Sequence, residues 1–294
     1  MAAKDQGADS VSALKRGFLV LDCFAAARRP LGNGDIAGLT GIPRPTVTRL
    51  IATLVSLGHL RVSREADRFE LAAGVVRLAE AFLGAIDVRS FARPHVVGLA
   101  EQCGASSFLG VRDGYQMLVV EAGRARSAVA FLGADVGTRM SLLTSALGRA
   151  WLAGVDEPTR DAVISQCQAR DFDAQTRLSK TRAAALRKTL DEARRLGYAL
   201  SLGEWHPNIN AVAVPIRTPG GEVITINCGS PAFVMPAERL RQVVVPRILS
   251  AAGALAKEIG GAAGTALATD GRRSAASGVH ERGRGKTLET NHGA

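Results

Sequence analysis

The stretch "GDIAGLTGIPRPTVTRLIATLVSLGHL", residues 34 to 60, constrains this chain more than any other. Two apolar stripes at helical spacing flank a tight "TGIP", so two short helices must pack across a glycine turn. Asp35 to Leu39 supplies the first, ended by Thr40 and Gly41. Pro43 and Pro45 set up the second, in which Val47, Leu50, Ile51, Leu54 and Leu57 follow i, i+3, i+4, i+7 and i+10 before Gly58 stops it. Upstream, "VSALKRGFLVLDCFAAA" puts Leu14, Phe18, Leu21 and Phe24 or Ala25 on one face, with Lys15, Arg16 and Asp22 opposite. Pro30 and the "GNG" at 32–34 end that helix, so three helices precede residue 60.

The next segment, "HLRVSREADRFEL", holds two β-prone runs (Leu60 to Val62, Arg68 to Leu71) around a polar "READ" tip and predicts a hairpin. Three helices followed by a basic hairpin form the pattern of a winged helix-turn-helix, residues 11–72. There the first helix of the pair braces the second, whose outward side chains meet base edges in the major groove. Arg44, Pro45, Thr46, Thr48, Arg49 and Thr53 are the expected DNA-facing residues of that helix. Their side chains suit phosphates, guanine edges and thymine methyls. Arg61, Arg64 and Arg68 on the hairpin would reach the flanking backbone as a wing. Spacing alone equally allows an ordinary helix pair with a solvated polar face; the hairpin favours double-stranded DNA.

Val75, Leu78, Phe82 and Ile86 continue as a helical stripe, predicting a linker helix over 73–89. A single winged domain cannot bury that stripe, so a homodimer on a pseudo-palindromic site is expected. With 294 residues, 47% of them hydrophobic and 22% charged, the chain has material for a second core. The formal charge of +10 favours a polyanionic partner. It does not place the binding face, because residues 1–90 carry twelve Lys or Arg against nine Asp or Glu.

From residue 90 the pattern changes. A helix around Pro94 to Cys103 ends at Gly104, and "SSFLGV" and "MLVVEA" read as strands about Asp113-Gly114. "TSALGRAWLAG" is a short helix; Leu186, Leu190 and Ala193 mark a longer one ending at Gly197. "AVAVPI" and "VITINC" flank Thr218-Pro219-Gly220-Gly221, a hairpin signal. Leu240, Val243, Val244, Ile248, Ala252, Leu255 and Ile259 line a last helix. Residues 1–10 are expected to be flexible. The composition beyond Gly260 predicts a disordered tail over 261–294, with Arg272, Arg273, Arg282, Arg284 and Lys286 as a solvated basic cluster.

The opening "MAAKDQGADS" has no apolar signal region, and no stretch reaches membrane-spanning length, so a cytoplasmic protein is expected. Cys23, Cys103, Cys167 and Cys228 are scattered, without metal-ligand spacing or a disulfide pattern, which predicts reduced and mostly buried thiols.

"DIAGLTGIPRPTVTRLIATLVSLGHL", "DRFELAAGVVRLA", "GTRMSLLTSALGRAWLA" and "RRLGYALSLGEWHPNINAVAVPI", in that order, resemble the IclR family of bacterial transcriptional regulators. The resemblance runs from about Val11 to Ile259. It implies an α+β protein with an N-terminal winged helix-turn-helix, a linker helix, and a C-terminal GAF-like antiparallel sheet flanked by helices over 90–260. It also implies a non-enzymatic regulator without a cofactor, a dimer or tetramer. Carried over, the family's effector pocket falls on Leu143, Thr144, Ser145, Ala146, Glu204, Val214, Asn227 and Ser230. Relatives often read like "PLHATALGK" where this chain has "SLLTSALGR", and "EWHPNIN" lacks the usual Pro-Gly. Helix-start amides near Thr144 and Ser145 would suit a carboxylate. With no Lys or Arg among these positions, the expected effector is a small organic acid with an apolar or aromatic body, held by neutral donors.

Other constellations are weaker. Gly32-Asn33-Gly34 with Ala37 matches a dinucleotide pattern, but no strand precedes it. There is no G-x-S-x-G, and Cys228 sits mid-strand without a His partner. Glu204 with His206 reads as a capped turn or ligand contact before acid–base chemistry. The competing function is a small-molecule hydrolase or binding enzyme built on 90–260, with the N-terminal helices serving only dimerisation.

Overall fold

In a computed structural model of the chain, residues 11–65, 67–126, 134–169 and 180–267 are described. They divide into two compact units, 1–86 and 87–294. The expectations for residues 1–10 and for the basic tail residues lie outside the described part.

The first unit contains α1 (Ser12–Ala27), α2 (Asn33–Thr40), α3 (Arg44–Ser56), β1 (Leu60–Val62), β2 (Phe69–Leu71) and α4 (Gly74–Gly84). Gly41 makes the turn between α2 and α3 at φ +69°, a left-handed conformation that a side chain would strain. The hairpin pairs Leu60 with Leu71, and Leu31 joins its edge through Phe69. Val20, Phe24, Leu31, Ile36, Ile42, Val47, Ile51, Leu54 and Leu60 close one core.

The apolar face expected for α1 divides. Phe24 is buried and Leu21 half-buried, whereas Leu14 and Phe18 are 61% and 55% exposed, because the first two turns overhang the core; Val20, not expected on that face, is buried as well. The linker helix is also shorter than expected. α4 ends at Gly84, a poor helix former, and a new helix begins at Val88. Of its stripe, Leu78 and Phe82 are exposed, while Val75 and Ile86 are half-buried.

The second unit is a seven-stranded antiparallel sheet in the order β5-β4-β3-β8-β7-β6. The strands are β3 (Ser106–Asp113), β4 (Gln116–Arg124), β5 (Arg139–Ser141), β6 (Ala199–Leu202), β7 (Ile209–Arg217) and β8 (Val223–Pro231). The seventh strand, β9 (Ala262–Ala263), pairs with Ile216 and Arg217 on the β7 edge. Disorder expected from residue 261 is therefore not seen at 261–267, where backbone pairing holds the segment despite its small side chains; the rest of that expectation lies outside the described residues. Val223 to Pro231 and Ile209 to Arg217 pair in full register across the Thr218 to Gly221 turn.

One face of the sheet packs on α6 (Ala146–Gly154), with α8 (Lys180–Leu196) behind; the other packs on α5 (Val88–Cys103) and α10 (Val245–Glu258). α5 runs through Pro94, six residues longer at its start than the sequence suggested. α7 (Glu157–Ala169), β5, β6 and β9 went unread. For α7 the signal was present: Asp156 before Glu157-Pro158, its carboxylate accepting Thr159 N–H at 2.8 Å as a cap. The last helix is not continuous: α9 (Ala237–Arg239) passes through a π turn at Leu240–Val244 before α10. Pro246 lacks the N–H that would continue the ladder, and the wider turn absorbs the break.

The thiols of Cys103 and Cys228, distant in sequence, meet between α5 and β8. Hydrogen bonding to Cys228 and the adjacent Arg247 guanidinium lower the Cys103 pKa to about 7. Cys228 is pushed up by that same bond and by burial. All four cysteines are free.

Candidate functional site

The turn and core of the first unit fix which way α3 faces. Val47, Ile51 and Leu54 point inward, so Arg44, Pro45, Thr48, Arg49, Ala52, Thr53 and Ser56 must point out, and all are exposed. Thr46 is half-buried at the edge. Arg49 has no partner among the described residues. The Arg44 guanidinium instead lies over Gly34, where an added Cβ would come within 2.6 Å of its Nη2.

The three wing arginines are not equivalent. Arg64 is exposed, with no ion pair or hydrogen bond among the described residues. Arg61 donates to Glu70 at 2.8 Å but remains largely exposed. Arg68 is turned inward, donating to Asp35 at 2.9 Å and to Pro30 O at 3.0 Å, with Glu65 at 3.3 Å. It ties the hairpin to α2, and the expectation that it faces DNA is corrected accordingly. Asp35 is held below the usual carboxylate range, first by the Gly32 N–H and then by Arg68 and Arg29.

In the second unit a small cavity of about 30 Å³ lies between the sheet and the start of α6. Ser106, Ser145, Ser201, Asn227 and Ser230 are its polar border; Phe108, Met140, Trp205 and Ile209 are its bulky apolar lining. The register explains the grouping. Ser106 faces Gly229, and Phe108 faces Asn227, so alternate residues of β3 and β8 present one patch.

Of the sequence-derived positions, Ser145, Ala146, Asn227 and Ser230 border this cavity. Val214 does not: it is fully buried and pairs with Ile226, one residue out of phase with Ala213 and Asn227, hence on the opposite face. Leu143 packs in the core beside the cavity, and Thr144 gives its carbonyl to the Ser201 hydroxyl at 2.9 Å. Glu204 is a structural partner. Its carboxylate receives Arg149 at 2.7 Å and the Leu202 N–H, while Arg149 also donates to Leu143 O and Leu200 O. That neutralises a cation whose side chain is only 10% exposed.

The loop before α6 is less open to an anion than its sequence suggests. Ser145 caps the helix by accepting Gly148 N–H at 3.0 Å and donates its own proton to Ser141 O at 2.6 Å. The amides of Leu143 and Thr144 go to the Ser141 hydroxyl. The unengaged groups lie on the sheet. Asn227 uses Oδ1 to accept Phe108 N–H at 2.9 Å, leaving its Nδ2 without a partner among the described residues. The hydroxyl of Ser106 is likewise free among them, and sequence reading had missed it. Among the described residues no group of His, Cys, Asp and Glu could hold a metal, and no helix is long and apolar enough to cross a membrane.

Comparison with known proteins agrees with both halves. The description "Bacterial transcriptional regulator IclR C-terminal" matches residues 80–259, and "IclR helix-turn-helix domain" matches 13–64. The HTH-type transcriptional regulator TsaQ1/TsaQ2 of Comamonas testosteroni is 28% identical over 83% of this chain and 87% of its own. The crystal structure of an IclR family regulator from Brucella abortus is 32% identical, covering 88% of this chain and 96% of that one at a TM-score of 0.67. An IclR homologue from Microbacterium hydrocarbonoxydans, solved in complex with 4-hydroxybenzoate, is 25% identical over 84% of this chain and 99% of its own at TM-score 0.69. These relatives are regulators and not enzymes, which sets aside the hydrolase alternative. With an N-terminal helix-turn-helix ahead of a helix-flanked antiparallel sheet, the chain belongs to the IclR family of DNA-binding bacterial transcriptional regulators.

Proposed function

We propose that this regulator works in the cytoplasm as a homodimer, or a tetramer built from dimers. On this reading a small organic acid in the second unit's cavity shifts the affinity of α3 and the wing for operator DNA. The observation that carries the effector assignment is the cavity itself. Its bulky lining is apolar and aromatic, and among its polar border residues Ser106 Oγ and Asn227 Nδ2 lack partners among the described residues. Two neutral donors beside Phe108 and Trp205 suit a carboxylate on a compact apolar or aromatic body. The homologue bound to 4-hydroxybenzoate supports the same class of ligand. On the DNA side, Arg49 and Arg64 are exposed and without a side-chain partner among the described residues, and they take the readout and backbone roles respectively.

The test is calorimetric titration of benzoate, 4-hydroxybenzoate and short aliphatic acids, alongside operator binding with and without each acid. One acid should bind the wild type and change operator affinity by a coupling of about 1 to 3 kcal/mol. Asn227→Asp keeps the acceptor for Phe108 N–H but replaces the free donor with a negative charge, so it should abolish acid binding and leave ligand-free DNA binding intact. Ser106→Ala should weaken the acid less. An acid that bound Asn227→Asp as well as the wild type would place the ligand elsewhere; one that bound without altering DNA affinity would refute the regulatory role of the cavity.

A further inference from the structure

The outward face of α3 presents fewer hydrogen-bonding groups than its sequence suggests. Thr48 sits at its centre, exposed, one helical turn from Pro45 and from Ala52. Its hydroxyl donates to Arg44 O at 3.0 Å and accepts from Asn33 Nδ2 of α2 at 2.9 Å. A hydroxyl has a single proton to give. That proton is engaged within the helix and the oxygen also receives the contact from α2, which leaves Cγ2 as the one arm of this exposed side chain not held by a hydrogen bond. Thr53 is bound in the same way, donating to Arg49 O at 3.0 Å, and Ser56 donates to Thr53 O at 2.8 Å. What the middle of α3 offers a partner is therefore an apolar strip of Pro45, the Thr48 methyl and Ala52, bordered by the unpaired guanidinium of Arg49.

We infer that Thr48 is a specificity-determining residue that reads the C5 methyl of a thymine, next to a guanine held by Arg49. The inference rests on the reading that α3 lies in the major groove. There thymine is the base that offers an apolar group, and guanine offers the paired acceptors that match a guanidinium. A threonine whose hydroxyl is held by the protein distinguishes thymine from cytosine by contact with the methyl and not by donating to O4. The bond from Asn33 makes α2 more than a brace, because it sets the rotamer with which α3 reads.

The experiment uses the full chain and duplexes selected by it from a random-sequence pool. Each thymine of the selected half-site is replaced in turn by deoxyuridine, which pairs identically and lacks only the methyl. Burying one methyl is worth a factor of about four. One thymine, adjacent to a selected guanine, should therefore lose about fourfold affinity for the wild type on replacement. Thr48→Ser keeps the hydroxyl and its bonds but removes Cγ2, and should bind thymine and uracil duplexes equally at that position. Thr48→Val keeps a methyl and should retain the preference. If no thymine responds, or if Thr48→Ser retains the sensitivity, Thr48 does not read a thymine methyl and the inference is wrong. Failure to select any sequence would instead overturn the DNA-binding role of α3.

Discussion

Phe82 on α4 is 49% exposed in the isolated chain and belongs to neither core, so its removal should leave the fold of one protomer untouched. If it lies in the dimer contact, the cost appears only there. A phenylalanine carries roughly 200 Å² of surface, so about 100 Å² of Phe82 awaits cover. At about 25 cal/mol per Å² that is roughly 2.5 kcal/mol for each copy. A two-fold interface contains the residue twice. Phe82→Ser should therefore weaken the dimer by about 4 to 5 kcal/mol, or roughly a thousandfold in Kd at 1.4 kcal/mol per decade. Sedimentation velocity from nanomolar to micromolar concentration reads this directly, with thermal unfolding of the dilute protein as control. The variant should run as a monomer where the wild type runs as a dimer, at an unchanged intrinsic domain stability. A variant that dimerised like the wild type would show that the α4 stripe carrying Leu78 and Phe82 is not the contact. A variant that failed to fold would show that Phe82 belongs to the protomer core after all.

Three further outcomes follow from the geometry. Gly148→Ala would set a Cβ 2.3 Å from Leu142 Cα, a backbone clash that no side-chain rotation relieves, and should lower the denaturant stability of the second unit by about 3 kcal/mol. Ser145→Ala removes the α6 cap and orphans the buried Gly148 N–H, a loss of about 2 kcal/mol by chemical denaturation, whereas Ser145→Thr should hold nearly wild-type stability. Asp35→Asn breaks the tie between α2 and the wing. Because the Asp35 carboxyl is held below its usual range, its contribution is complete near neutral pH and fades only as pH falls below the ordinary carboxylate range. The stability gap between wild type and Asp35→Asn should therefore close on acidification; a gap that widened would reverse the assignment.

Much of this molecule was legible in the residues alone, for physical reasons that differ by segment. The Val47, Ile51, Leu54 stripe and the glycine at 41 leave α2 and α3 little choice, because local periodicity and a required turn conformation act within a few residues. The Thr218 to Gly221 hairpin was equally local. Strands β5, β6 and β9 are only three, four and two residues long, too short to show a period, and exist through their pairing with long neighbours.

The site divides along the same line. The family resemblance suggested Ser145, Ala146, Asn227 and Ser230, which border the cavity, and also Val214, although alternation along β7 turns that residue to the other face. Which polar groups remain free was decided by tertiary contacts alone. Glu204 is taken by Arg149, fifty-five residues away; Arg68 by Asp35, thirty-three away; and the Thr48 hydroxyl by Asn33 across the turn. A residue's type and helical phase are written in the chain, whereas its hydrogen-bond partner is whatever the folded chain brings within about 3 Å, and that distance exists only once the core has closed.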